Sequence, residues 1–237
     1  SITGMILPEY DEIVNQSAGY VNEEGKTVSV GEHTVASLRL CRPDKVLRLT
    51  MLLHDMGKPG SALAGEDGSV RFSGHAQAGA KLAGEILRRL KMDRKTTESV
   101  CLLIREHTGL PPREPAPLRH MISRIGTDML GLYLEVKEAD ILAGNPGKRE
   151  ERAALLEQTK ALYREIIASG DALSVKALAV NGRDLIEAGF ESGPRLGEML
   201  QAMLEDVLDT PAHNTAEYLL AHAEELLEKS RERTEEI

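Results

Sequence analysis

Tryptophan is absent from this 237-residue sequence, phenylalanine occurs twice, and aromatic residues make up only 3% of it. That scarcity argues against an aromatic platform on which single-stranded bases stack. Cysteine is nearly absent as well. Cys41 and Cys101 lie in apolar helical contexts, show no paired metal-ligand spacing and are too few for a disulfide framework, so a reducing cytoplasmic setting is expected. Basic residues number 29 against 38 acidic ones, a formal net charge of −9. This excludes broad attraction to nucleic acid over the whole surface and leaves only local basic patches open. No apolar run approaches the roughly twenty residues that cross a bilayer, and no charged segment followed by an apolar one suggests a signal peptide. A soluble protein with no membrane partner is expected. The first residue is Ser1, not Met, so the sequence reads as trimmed or as a piece of something longer.

What is present suffices to bury a substantial apolar core, and it is organised around Met51 to Pro59, MLLHDMGKP. Val46 to Met56 is nearly all apolar and is closed by Gly57 and Pro59, which predicts a buried helix with its own stop signals. His54 and Asp55 fall inside it. Burying an imidazole beside a carboxylate is costly unless both are hydrogen-bonded or ligate a metal. A His–Asp hydrogen bond within the core would satisfy the pair, and so would a divalent cation.

The neighbouring segments repeat the pattern. The helix expected from Val30 to about Leu40 carries His33 in phase with Ala36, Ser37 and Leu40. Ser73 is expected to cap a helix that His75 opens, with Gly79, Leu82, Ile86 and Leu90 continuing the apolar face and Gly79 leaving room for a neighbouring backbone. The helix from Thr97 to His107 places Val100, Leu103, Ile104 and His107 on one face, and a later one aligns Leu132, Val136, Asp140 and Ala143. Five helical segments thus each bring a metal-ligand type to a face expected to be buried. Histidine and carboxylate together suit iron, manganese, zinc or magnesium. His120, His213 and His222 do not share this placement and read as structural or surface residues.

The remaining segments read as scaffold. Residues 5 to 16 suggest a short amphipathic helix and 22 to 26 a polar turn. Gly65 to Phe72 suggests a small hairpin. A long charged helix is expected from Lys148 to Ala168, another from about Arg195 to Leu208, and a last one from Asn214 to Lys229 with a charged tail. Lys58, one turn past the doublet, either offers its ammonium to a phosphate or complements the dipole at a helix C-terminus.

The pattern H…HD…D with HDMGKP resembles the HD-domain superfamily of metal-dependent phosphohydrolases. FSGHAQAGAKLAGEILRRLK, CLLIREH and the later NGRDLIEAGFESGPRLGEML and NTAEYLL resemble one branch of it, the HD region and tail of bacterial tRNA nucleotidyltransferases, the CCA-adding enzymes. The similarity runs from about Val30 to Leu227. It implies an all-α HD-domain helical bundle with a smaller C-terminal helical unit: a lead-in at 1–28, a metal-binding domain at 29–147 and a C-terminal body at 148–237. It further implies one or two divalent ions, manganese, iron, nickel, cobalt or magnesium. His33, His54, Asp55 and Asp140 would be the ligands, with His75 and His107 widening the site as in binuclear members.

The expected activity is that of a metal-dependent phosphohydrolase acting on phosphomonoesters or cyclic phosphodiesters of nucleotides or RNA ends, or on a phosphorylated small molecule. Asp55 and Lys58 are its candidate catalytic residues, and Lys58 is also the candidate substrate-binding one. The alternative is the tRNA-binding C-terminal portion of a tRNA nucleotidyltransferase with a structural or vestigial HD site. The basic run Arg88, Arg89, Lys91, Arg94 and Lys95 supports that alternative. The family's nucleotidyltransferase head, with its Gly-Gly or Gly-Ser loop and Asp-x-Asp metal pair, has no counterpart in the sequence, so nucleotide addition by this chain alone is not expected.

Overall fold

A computed structural model describes residues 6–59, 61–64 and 70–235. The described residues are mostly α-helical, with two small antiparallel hairpins. The chain divides into two compact units, Ser1–Pro111 with Asp128–Gln158, and Pro112–Thr127 with Thr159–Ile237.

The first unit opens with helix α1 (Pro8–Ile13), shorter than the helix expected over 5 to 16. Met5 lies outside the described residues. The polar stretch after Ile13 leaves the helix and becomes strand β1 (Ser17–Val21), which pairs antiparallel with β2 (Thr27–Ser29) around the turn read from the sequence. Helix α2 (Val30–Leu40) starts where a capping box starts it: Ser29 Oγ accepts from the Glu32 amide while the Glu32 carboxylate accepts from the Ser29 amide. That cap puts His33 one turn in, on the buried side.

Helix α3 (Lys45–Leu53) is capped by Asp44, which accepts from the amides of Val46 and Leu47. It ends earlier than the expected Met56. His54 is its C-cap, and Met56 and Lys58 close tight turns onto the carbonyls of Leu53 and Asp55. The doublet therefore sits at a helix end. There the chain turns sharply and lays Gly57 against the next helix.

Strands β3 (Ala62–Ala64) and β4 (Val70–Phe72) form the second hairpin, in the register Ala62 to Phe72. The Gly65–Ser69 part of the expected hairpin lies outside the described residues. Helix α4 (His75–Arg89) is not capped by Ser73 as expected. Gly74 is its N-cap, in a left-handed conformation (φ 73°) that glycine adopts without strain. Helix α5 (Arg94–Glu106) is capped by Asp93, and His107 follows as its C-cap. Helix α6 (Pro115–Ile125) belongs to the second unit. Helix α7 (Thr127–Ala143) and the first part of α8 (Pro146–Ser169) complete the first. Leu53, Ala80, Ala83, Leu87, Val100 and Ile104 interlock in its core.

The second unit continues with α9 (Gly182–Glu187), capped by Asn181, then α10 (Pro194–Asp209), α11 (Ala216–Ala221) and α12 (Ala223–Glu235). Its core gathers Leu185, Met199, Met203, Val207 and Leu219. The single helix expected from Asn214 to Lys229 is broken at His222, whose Nδ1 bonds the Tyr218 carbonyl. No helix among the described residues is long and apolar enough to cross a membrane.

Gly57 and Gly79 fix the approach of α3's end to α4. A Cβ on Gly57 would lie 2.0 Å from the His75 carbonyl oxygen and 2.5 Å from the Gly79 nitrogen, and both obstacles are backbone. Gly57→Ala is expected to lower stability by about 1–3 kcal/mol through overpacking, measured by urea denaturation with chelator present. An unchanged midpoint contradicts the close approach.

Candidate metal centre

Five elements converge in the first unit: α2 with His33, the end of α3 with His54 and Asp55, the start of α4 with His75, the end of α5 with His107, and α7 with Asp140. His33, His54, Asp55 and His107 are buried, and His75 and Asp140 are partly so. All six residues singled out from the sequence meet in one cluster. Lys58 joins them.

The histidines share one hydrogen-bond scheme. His54 Nδ1 donates to the Met51 carbonyl (2.8 Å), His75 Nδ1 to that of Phe72 (2.7 Å) and His107 Nδ1 to that of Ile104 (2.5 Å). Carbonyls only accept, so each Nδ1 carries the proton and a neutral ring has a bare Nε2. The Nε2 atoms then face each other in pairs, His33 with His54 at 3.2 Å and His75 with His107 at 3.2 Å. The bare nitrogens of His75 and His107 cannot hydrogen-bond to each other, whereas a proton on His33 Nε2 can be shared with His54 and Asp140. Two nitrogens bound to one ion at about 2.0–2.1 Å, with tetrahedral angles, lie roughly 3.3 Å apart, so both spacings are of the size that one shared cation would need.

Asp55 stands between the pairs. Its Oδ2 is 3.5 Å from His54 Nε2 and 3.9 Å from His33 Nε2, while Oδ1 is 4.0 Å from His75 Nε2 and 3.9 Å from His107 Nε2. The ligand atoms of His33, His54 and Asp55, and of Asp55, His75 and His107, form two groups compact enough to hold an ion. Asp140 Oδ1 adds a carboxylate to the first, 3.1 Å from His33 Nε2 and 3.8 Å from His54 Nε2.

Electrostatics follow from burial and these neighbours. Burial works against the Asp55 charge, but His54 and Lys58 outweigh it and hold the carboxyl down at about 2. Asp140 is likewise held well below the carboxylate range: burial opposes its charge, but the His33 hydrogen bond and Lys137 prevail. Burial pushes His107 down to about 4 and also lowers His54, so both rings stay neutral near pH 7. His33 goes the other way. Burial disfavours its charge, yet the hydrogen bond and charge of Asp140 raise its pKa. Its Nε2 proton points at Asp140, and a cation bound there would have to take that proton's place.

Lys58 was singled out from the sequence as a candidate catalytic and substrate-binding residue, while Lys137 and Tyr20 were not singled out. Lys58 Nζ donates to Asp55 Oδ2 at 2.6 Å and lies 5.1 Å from the centre of the Phe72 ring. Lys137, buried on α7, donates to the His107 carbonyl and sits 3.7 Å from Asp140 Oδ2. Its only sequence signal is a position in helical phase with Leu130, Tyr133, Leu134 and Ile141. Tyr20, from β1, gave no signal. Its hydroxyl donates to the Ala143 carbonyl (2.8 Å) and lies 3.0 Å from His33 Nδ1. A cavity of about 330 Å³ adjoins the cluster, with Lys148 and Arg152 on its wall.

The other histidines lie in the second unit and pair there: His120 with Asp209 and Glu205, His213 with Asp206, His222 with a backbone carbonyl. In the basic run, Arg89 is paired with Glu9 and Arg94 with Glu98, while exposed Arg88 bonds only the Gly84 carbonyl and Lys91 and Lys95 are exposed with no carboxylate partner among the described residues.

The family model for tRNA nucleotidyltransferase domain 2 matches residues 70–223. The chain belongs to this family. It is 31% identical over 210 residues to the CC-adding tRNA nucleotidyltransferase of Thermus thermophilus, which covers 86% of this chain and 46% of that protein. It is also 31% identical over 188 residues to the A-adding tRNA nucleotidyltransferase of Deinococcus radiodurans, covering 75% and 42%. A bifunctional uridylyltransferase/uridylyl-removing enzyme of Phenylobacterium zucineum is 27% identical over 256 residues, 94% of this chain and 26% of that protein. The chain thus spans less than half the length of these curated relatives. No solved structure matches it.

These matches correct one expectation. The phosphohydrolase class implied by HDMGKP is not upheld, because the family and its two 31% identical members are nucleotidyltransferases, which are transferases. A histidine and carboxylate cluster is common ground for many reactions and for structural metal, so it does not fix a reaction class.

Asp55→Ala removes the acceptor of the buried Lys58 ammonium. In chelator-treated protein it is expected to cost about 3–5 kcal/mol of unfolding free energy, as breaking a buried ion pair does. Lys58→Met in the same background is expected to restore part of that loss. A cost for Asp55→Ala below about 1 kcal/mol, the range of exposed pairs, contradicts the buried pair.

Proposed function

We propose that this chain is the tRNA-holding C-terminal helical portion of a tRNA nucleotidyltransferase, acting beside a nucleotidyltransferase head. In it, the His/Asp cluster forms an HD-type divalent-metal centre that braces the first unit. The observation that carries the reading is the family match across residues 70–223, supported by two tRNA nucleotidyltransferases at 31% identity.

The donor set fits a divalent cation. His33, His54, Asp55 and Asp140 offer two imidazoles and two carboxylates to one ion, and His75 with His107 offers two imidazoles to a second through the shared Asp55. When bound, such an ion supplies concentrated positive charge that holds its ligands and polarises water at its open positions. The chain's own residues prepare the site: backbone carbonyls fix three of the Nδ1 protons, and Lys137 holds the end of α5 to α7 through the His107 carbonyl. The brace joins elements that are far apart in sequence.

Contact with tRNA is expected through phosphates, since aromatic residues are few. Lys91 and Lys95 are candidates for it.

Metal analysis of the purified chain is expected to give between one and two equivalents of divalent metal. His75→Ala is expected to lower that number by one, whereas Asp55→Ala, which touches both groups, is expected to abolish it. Loss of a single equivalent in both variants argues against the shared carboxylate.

The chain is expected to bind tRNA with an affinity that falls as salt rises. The log–log slope should be about −3 or steeper, corresponding to roughly four phosphate contacts. Chelation is expected to leave that slope unchanged. Fluorescence anisotropy over a salt series measures it. A flat response, or no binding at low salt, overturns the tRNA-holding reading.

A further inference from the structure

We infer that Tyr20 is a positioning residue of the metal centre, delivered by the N-terminal hairpin: its hydroxyl fixes the tautomer of His33 and thereby frees His33 Nε2 for a cation. The inference rests on the metal-centre reading above and adds an outer residue to it.

The phenol has one proton. It goes to the Ala143 carbonyl at 2.8 Å, because a carbonyl can only accept. The oxygen's contact with His33 Nδ1, at 3.0 Å, must then run in the other direction, with Nδ1–H as donor. The other three histidines receive the same service from carbonyls on their own chain segments. His33 alone has no such carbonyl on its Nδ1. His33 lies three residues past its helix start, and the hairpin supplies the acceptor.

His33 also faces a competitor that the other three do not have at this distance. Asp140 Oδ1 lies 3.1 Å from its Nε2 and favours a proton on that nitrogen. A neutral ring with its proton on Nε2 cannot ligate through Nε2. An acceptor at Nδ1 offsets this pull. Tyr20 also ties two ligand helices together, since Ala143 is the last residue of the helix that carries Asp140, while His33 lies on the helix after the hairpin. The carbonyl of Ala18, on the same strand, lies 3.4 Å from Lys58 Nζ. One strand therefore meets both a candidate ligand and the cation beside the shared carboxylate. The ring of Tyr20 packs edge-on to His33, with centroids 5.9 Å apart and planes at 87°. Phenylalanine can keep that packing without the hydroxyl.

The test compares Zn²⁺ binding by the full chain and by Tyr20→Phe, using chelator competition. The ring ¹⁵N and Nδ1–H resonances of His33 are recorded in the zinc-loaded proteins. The variant is expected to bind its first-group ion 10- to 100-fold more weakly, the range for lost outer hydrogen bonds to metal ligands. Its His33 Nδ1–H signal should exchange rapidly with water, while those of His54, His75 and His107 stay protected. Urea denaturation with chelator present separates this from general destabilisation, which would not single out His33. Equal zinc affinity and a protected His33 Nδ1–H in the variant overturn the positioning role. If the wild-type chain binds no zinc, manganese or cobalt, the metal-centre reading itself fails, and this inference with it.

Discussion

The first unit depends on keeping one carboxylate satisfied. Asp55 is 3% exposed, and a charge so placed is tolerable only with partners on every side. The chain supplies them from distant segments: His33 from 22 residues before, Lys58 from the next turn, His75 and His107 from two later helices. Much of the local structure follows from that demand. Helix α3 stops at Leu53, and in the turns that follow His54 reaches one group while Asp55 reaches both. Gly57 has to lack a side chain so that the turn after them can lie on α4 and bring His75 within reach.

Without an ion, the cluster already balances its charge. Asp55 and Asp140 are matched by Lys58 and Lys137, all inside or at the edge of the same cavity, with at least two of the four imidazoles held neutral. A metal-free chain can therefore fold around the site. The same balance sets a competition. Lys58 occupies Oδ2, the oxygen that faces His33 and His54, so a cation in that group has to share the oxygen with the ammonium or displace it. Oδ1 faces the other pair with no lysine on it. The two groups are chemically unequal even though one residue serves both.

How far the sequence carried depended on the range of each interaction. The helices that carry the candidate ligands were readable because an apolar stripe at helical spacing that includes His or Asp is a local signal: His33, His75, His107 and Asp140 each sit on such a stripe. Capping was partly readable. Ser29 and Glu32 form a box that accounts for a start at Val30, while Ser73 was preferred at a position where left-handed Gly74 does the work. The β1–β2 hairpin was missed because two short strands with little alternation give no period to detect, and with it went Tyr20, whose partners are 13 and 123 residues away. Lys137 was passed over for a similar reason. A lysine in an apolar stripe usually reaches solvent along its stem, and only the fold shows that this one ends against the His107 carbonyl.

The reaction class was the least readable feature, and the physics explains why. Ligand residues are chosen by what an ion needs, namely bare nitrogens, carboxylate oxygens and spacings near the edge of a coordination shell. Those needs are the same whether the ion activates water or ties helices together. A brace has a measurable thermodynamic identity of its own: an ion that binds only the folded chain stabilises it by RT ln(1 + [L]/Kd), about 4 kcal/mol at a thousandfold excess over Kd. The candidate ligands here come from five elements spread between His33 and Asp140. Unfolding would disperse them, so an ion bound there would lose that whole free energy on unfolding and would hold the first unit in shape whether or not it turned anything over.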